Sequence, residues 1–389
     1  MWIYILIYVI ITFLFINSVM RERQSKTLMV ATMMFLGVFV GLADMLGGYD
    51  RYIYGELFDR VADTVAAGWD VRDTTLFAMY PKELGYDYLN VLIGHFTRNR
   101  YIFIFLYTIL CYVLILRAML KYTNRSPFVI VVFMGLWFFF TFTYLRQVLA
   151  AAVAWQAIDF AVRRKPYHFF AIALVAASIH NSALLFLPVY FLPQRKFNKI
   201  VVVLVMLVCF ALGLTGVPEA VTSAFGDAAD LQERVADMTG HVDMFDEEQG
   251  GFRFEYLLEA AVFLFLILTN YGSYDENNRV QMIMLNMALI FCALLLFFIK
   301  SLNGGRLTWL YMIGLIATIN QMVTSRRGFN ILHMGLLIMF TFLYLRILGL
   351  WNDRLYPYKT FLTNGHTAGD WVYYEYEYDP LYDANKFYR

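Results

Sequence analysis

Five polar side chains stand out in a chain otherwise built from apolar runs: Asp50, Glu83, Arg146, His180 and Arg306. Two are arginines, which stay charged and present a planar fork of donors to anionic oxygens. The other three can take a proton from a hydroxyl, as a carboxylate or as a neutral imidazole held within hydrogen-bond reach. Each lies at or near the end of an apolar stretch. Charge at hydrocarbon depth is costly, so polar groups gathered toward one face of a membrane protein mark a site.

The elements that would position them are membrane helices. The chain has 389 residues, 60% hydrophobic and 16% charged, whereas soluble domains carry about 25% charged residues. Apolar stretches of spanning length fall near 2–20, 27–46, 101–120, 127–143, 146–162, 199–216, 254–271, 280–299, 307–324 and 329–348. This predicts an all-α polytopic membrane protein with about ten full spans plus short broken or re-entrant helices. The first apolar stretch is followed by Arg21, Arg23 and Lys26. A secretory signal carries its charge before the apolar region, so residues 2–20 read as a retained first helix.

Basic clusters at Arg21/Arg23/Lys26, Arg117/Lys121/Arg125, Arg163/Arg164/Lys165, Arg195/Lys196/Lys199 and Arg326/Arg327 orient the spans. Ten crossings with both termini outside put every cluster in the cytoplasm, as positive-inside topology requires. The five polar residues then fall on the outer side. Residues 167–192 are flanked by basic clusters on both sides and broken at His180-Asn181-Ser182. Each half of about 12 residues reaches only about 18 Å, so a pair of short helices around His180 fits better than two crossings. Such a break must be shielded by protein or face a watery cavity.

Two outer loops are expected, at about 47–100 and 217–252, the second acidic from Asp227 to Glu248 with Gly250-Gly251 before the next helix. The stretch 84–97 reads as interfacial or re-entrant. Residues 1–348 form the transmembrane domain, and 349–389 a Tyr- and acid-rich tail, either a disordered end or a segment along the outer interface. Net charge is +1, which gives no field for nucleic acid. Cys111, Cys209 and Cys292 lie within apolar runs, and neither they nor the six histidines have metal-ligand spacing. No phosphate-binding Gly-rich loop or internal repeat is present, so no metal or cofactor is expected.

In order along the chain stand Gly48-Tyr49-Asp50-Arg51-Tyr52 with Tyr54, Glu83-Leu84-Gly85-Tyr86-Asp87-Tyr88-Leu89, Tyr144-Leu145-Arg146-Gln147-Val148, Ile179-His180-Asn181-Ser182-Ala183, and Arg306-Leu307 with Tyr311. Over residues 1 to about 345 this series resembles the EpsG-like branch of the Wzy-type bacterial polysaccharide polymerases. Leu84 stands where that family usually has Pro. The resemblance implies a polytopic protein of the bacterial inner (cytoplasmic) membrane serving capsule, exopolysaccharide or O-antigen assembly. It implies a membrane glycosyltransferase that joins polyprenyl-diphosphate-linked oligosaccharide repeat units at the outer face. The growing chain passes to the non-reducing-end sugar of another unit, and polyprenyl diphosphate leaves. Membrane lipid, a chain-length regulator and a flippase would be the working partners.

That reaction assigns roles. Arg146 and Arg306 would bind the diphosphate, each at the start of a helix whose terminus favours phosphate. Arg146, His180, Glu83 and Asp50 are the catalytic candidates, and which of the last three takes the acceptor proton stays open. His180 can equally bind the diphosphate or a sugar. Tyr49, Tyr52, Tyr54, Tyr86 and Tyr144 could stack on sugars, although aromatic belts also place tyrosine at membrane interfaces. Two rival classes remain. A flippase or transporter would favour paired broken helices, and only one is evident; a non-polymerising lipid-linked-sugar glycosyltransferase would carry the same motifs.

Overall fold

A computed structural model describes residues 1–21, 25–44, 49–124, 126–218, 220–221, 251–301, 304–325, 328–364, 382 and 384–388, apart from the side chains of Tyr49 and Asp353. The described residues are helical, with no strand and one isolated bridge between Ala43 and Thr360. In chain order come α1 (Trp2–Met20), α2 (Lys26–Leu42), α3 (Tyr49–Ala67), α4 (Thr75–Met79), α5 (Leu84–Gly94), α6 (Arg100–Tyr122) and α7 (Phe128–Leu136). Then follow α8 (Leu145–Trp155), α9 (Ile158–Val162), α10 (Pro166–Ile179), α11 (Lys199–Gly213), α12 (Phe254–Thr269), α13 (Arg279–Phe297), α14 (Met312–Thr324), α15 (Ile331–Leu350) and α16 (Asn352–Leu355). Stretches of 3₁₀-helix occupy Phe139–Phe142, Asn181–Phe191 and Gly304–Tyr311.

Local sequence sets the helix starts. Ser25 accepts from the Leu28 amide at 3.1 Å, Asn99 from Tyr101 at 2.9 Å, Asn278 from Val280 at 3.1 Å and Asn330 from Leu332 at 3.0 Å. Each such cap satisfies a backbone donor that the first turn leaves open, worth about 1 kcal/mol. Pro166 opens α10 at a position where its missing amide costs nothing.

Among the described residues, six helical segments are long and apolar enough to cross a membrane: α1, α6, Leu145–Val162, α13, Gly304–Thr324 and α15. The protein is a polytopic all-α membrane protein. The other expected spans are shorter helices. α2 has 17 residues and α11 has 15, about 25 Å and 22 Å at 1.5 Å per residue. α7 has nine residues and gives way at Trp137 to the 3₁₀ turn Phe139–Phe142.

The chain divides into two compact units, residues 1–149 with 326–389, and residues 150–325. In the first, α2 packs on α6 with Gly37 against the Tyr112 ring, and α7 packs on α15 with Gly135 against the Phe340 backbone. In the second, α13 is the central helix, flanked by α11, α12 and α14. Tryptophan, leucine and phenylalanine side chains stay exposed along α1, α11 and α15. Apolar surface of that extent suits a lipid environment.

The region expected as a loop at 47–100 is largely helical. α3, α4 and α5 fill it, with Tyr52, Ile53, Tyr54, Leu57, Phe58, Val61 and Ala62 buried along α3 and Arg60 exposed. The charges that read as loop lie on this helix, and not all of them face outward: Arg51 and Asp59 are buried. The expectations for Gly47-Gly48, the acidic stretch Asp227–Glu248, Gly250, Arg23, Arg125, Arg326/Arg327 and tail residues 365–381 lie outside the described residues.

Candidate active site

Residues Tyr80-Pro81-Lys82-Glu83 form a tight turn, closed by the Glu83 amide donating to the Tyr80 carbonyl at 2.9 Å. Pro81 holds the second position, where its fixed φ suits the turn. The turn fixes Tyr80 and Glu83 together at the mouth of α5. Arg146, in the first turn of α8, meets both: it forms an ion pair with the Glu83 carboxylate, and its guanidinium lies 3.7 Å from the Tyr80 ring centroid. The rings of Tyr54 and Tyr86 stand 5.5 and 5.6 Å from the same guanidinium, and Nε of Arg146 donates to the Tyr54 hydroxyl at 3.4 Å.

Arg146 is 6% exposed and Glu83 8%. A desolvated cation over aromatic faces gains about 2 kcal/mol or more, and the carboxylate supplies the countercharge that burial demands. Asp50, in the first turn of α3, bears electrostatically on the phenols of Tyr54 and Tyr80. Burial pushes the Tyr80 phenol up to about 12 and raises Tyr54 further, so both rings are neutral hydroxyl donors near pH 7. The cluster is a caged cation with a carboxylate partner, surrounded by neutral phenolic hydroxyls.

The first unit thus brings together Asp50, Tyr54, Glu83, Tyr86 and Arg146. Tyr52 instead faces the Arg100 guanidinium at 5.9 Å, and Tyr144 packs on Phe140 and Trp351. The Tyr49 side chain lies outside the described residues. Neighbouring Arg51 is fully buried, and its guanidinium donates to the carbonyls of Val40 at 2.9 Å, Ala43 at 3.0 Å and Phe142 at 3.3 Å. It ties off the end of α2, where carbonyls lack helical partners.

His180 and Arg306 belong to the second unit. His180 is the break itself: α10 ends at Ile179, His180 is extended, and its Nδ1 accepts the Ser182 amide at 3.2 Å to cap the 3₁₀ stretch Asn181–Phe191. With Nδ1 accepting, a neutral ring carries its proton on Nε2 and is a donor there. Arg306 lies in the stretch Gly304–Tyr311, which leads directly into α14, and its charge bears on the Tyr256 hydroxyl together with Arg253. Gly304 and Gly305 precede it because a Cβ at either would collide with Phe298 or Tyr256. The two 3₁₀ stretches pack together, with the Tyr311 hydroxyl donating to the Leu185 carbonyl.

Tyr80 is a cluster member that motif reading passed over, and Asp87 stood within the motif Glu83–Leu89 but was given no role there. Asp87 carried a signal, since it follows Glu83 by four residues and so shares its helix face. Tyr80 carried none, because its place under Arg146 depends on the fold of the Pro81 turn.

No curated protein and no solved structure matches the chain. The family model of the EpsG family matches residues 26–360. The chain belongs to the EpsG family.

Proposed function

We propose that this protein polymerises polyprenyl-diphosphate-linked oligosaccharide repeat units by glycosyl transfer at the outer face of the bacterial inner membrane, with both termini on that side. Family membership supports a role in polysaccharide biosynthesis in general. The observation that carries the finer reading is the buried Arg146–Glu83 pair in its ring of tyrosines. A leaving diphosphate develops charge that a preoriented guanidinium meets without reorganisation. As phosphate oxygens take over Arg146, Glu83 loses its cation and becomes a stronger proton acceptor for the incoming sugar hydroxyl.

In this scheme the acceptor oxygen attacks the anomeric carbon, the anomeric carbon–oxygen bond to the diphosphate breaks, and the hydroxyl proton goes to Glu83. Asp50 holds the tyrosine side of the cluster. Arg306 is assigned as a further phosphate ligand, and His180 as a donor to phosphate or sugar through Nε2. Capsule, exopolysaccharide and O-antigen are all compatible products.

The lipid-linked glycan profile of a deletion strain, complemented with wild type or Arg146→Ala, tests this. Single complete units accumulating without polymer, in the deletion and in the variant alike, are expected. Units trapped on the cytoplasmic face would point to a flippase, and a unit short of one sugar to a single-transfer enzyme.

A further inference from the structure

One carboxyl beside the Arg146–Glu83 pair has no part in the scheme above. Asp87 lies one turn after Glu83 on α5, and its amide donates to the Glu83 carbonyl at 3.3 Å. Its side chain is fully buried, and among the described residues neither carboxylate oxygen has a hydrogen-bond partner. α5 has eleven residues, too few to span a membrane. An ionised carboxylate here would give up hydration for no hydrogen bond, a cost it avoids by keeping its proton.

The surrounding charges agree. Glu83 on the same helix repels a second anion, and Arg146 from α8 favours one. From α3 come Tyr54 and Asp50, whose charge bears on Tyr54 and Tyr80; from α6 comes Tyr107, its ring against Tyr86; Tyr80 in turn feels Asp87. α4 brings no titratable group to the face it packs on α5. Burial first and Glu83 second outweigh Arg146, and Asp87 is pushed up to about 8.

We propose that Asp87 is a positioning residue held as the neutral acid, which leaves Glu83 as the carboxylate that answers Arg146 and keeps the guanidinium exchangeable toward phosphate. This rests on the reading of Arg146 as a diphosphate ligand. Ionised, Asp87 would set two carboxylates one helical turn apart on a single guanidinium, and an incoming diphosphate would have to displace both.

Two measurements on the purified full-length protein in detergent separate the inference from that reading. Farnesyl diphosphate serves as the binding probe between pH 6 and 9, with Asp87→Asn compared to wild type at each pH so that titration of the probe itself cancels. Asp87→Asn should bind within about twofold of wild type at pH 7 and about tenfold tighter than wild type at pH 9, as expected for removal of one nearby charge. Binding weakened more than about tenfold by Asp87→Asn at pH 7 would show that the anion is needed and overturn the proposal.

Thermal unfolding reads the proton without a ligand. A carboxyl whose folded pKa lies above its unfolded value near 4 destabilises the fold progressively as pH rises from about 4 to about 8, then no further. The Tm of Asp87→Asn should therefore gain on wild type steadily between pH 5 and 8. A Tm difference that stays constant over that range overturns the neutral acid. Failure of wild type to bind the probe at any pH would overturn the Arg146 reading and the positioning role with it, while the Tm comparison would still decide whether Asp87 is protonated.

Discussion

Arg146 and Glu83 offset one another's burial, so removing either alone exposes the other's cost. Arg146→Ala leaves Glu83 buried without its cation, which should lower stability by about 3–5 kcal/mol. Loss of polymer in that variant is then ambiguous between fold and chemistry. The double variant Arg146→Met/Glu83→Leu resolves it. A buried pair replaced by apolar side chains of similar volume is often neutral or stabilising, so its Tm in detergent should return to within a few degrees of wild type while polymer stays absent. Polymer made by the double variant would make the pair structural only. The motif Tyr144-Leu145-Arg146-Gln147 and the acidic Glu83 were legible as polar residues at helix ends. Their pairing was not, because 63 residues separate them and no periodicity links α5 to α8.

At the scale of elements, close helix approaches are built on glycine. A Cβ on Gly135 would sit 2.9 Å from the Phe340 carbonyl oxygen and 3.1 Å from its Cβ, so α7 could not keep its seat on α15. Gly135→Ala should cost about 1–3 kcal/mol by overpacking. Gly335→Ala, on α15 with nothing within 4 Å of the new methyl, is the control; helix propensity alone should leave it neutral or stabilised by about 0.5–1 kcal/mol. Parallel thermal melts decide, and equal losses at both sites would show that the approach is not tight. Apolar run length located α1, α6, α13 and α15 within a few residues of where they lie. It overestimated α2 and α7. α2 stops where Arg51 collects its last carbonyls, and α7 unwinds at Trp137; both stops depend on packing rather than local composition.

On the scale of the whole molecule, the chain end returns to the first unit. The Tyr382 hydroxyl donates to Asp59 at 3.1 Å, beside the Arg100–Asp59 ion pair, and Lys386 reaches Asp44 at 3.2 Å while its carbonyl accepts from Asn99 at 2.7 Å. The sequence suggested either a disordered end or an interfacial segment for this tail; among its described terminal residues Tyr382 and Lys386 are buried anchors, while Ala384, Asn385, Phe387 and Tyr388 are exposed. Truncation after Asn364 removes these partners from Asp44, Asp59 and Asn99. It should lower stability by about 2 kcal/mol or more, seen as a reduced Tm with helix content by circular dichroism largely kept. An unchanged Tm would mean the anchors contribute nothing net.

The sequence alone determined that the protein is helical and membrane-embedded, where the 167–192 stretch breaks, and which five polar side chains merit attention. Each of these follows from local properties, namely apolar run length, the polar break His180-Asn181-Ser182 and isolated charge. The tertiary structure decided which of those side chains are partners. It caged Arg146 between Tyr80 and Glu83, sent Tyr52 to Arg100, gave Arg51 to the end of α2, and buried Asp87 one turn from Glu83. Those outcomes rest on contacts between residues far apart in the chain, where burial and charge pairing, not sequence spacing, set the energy.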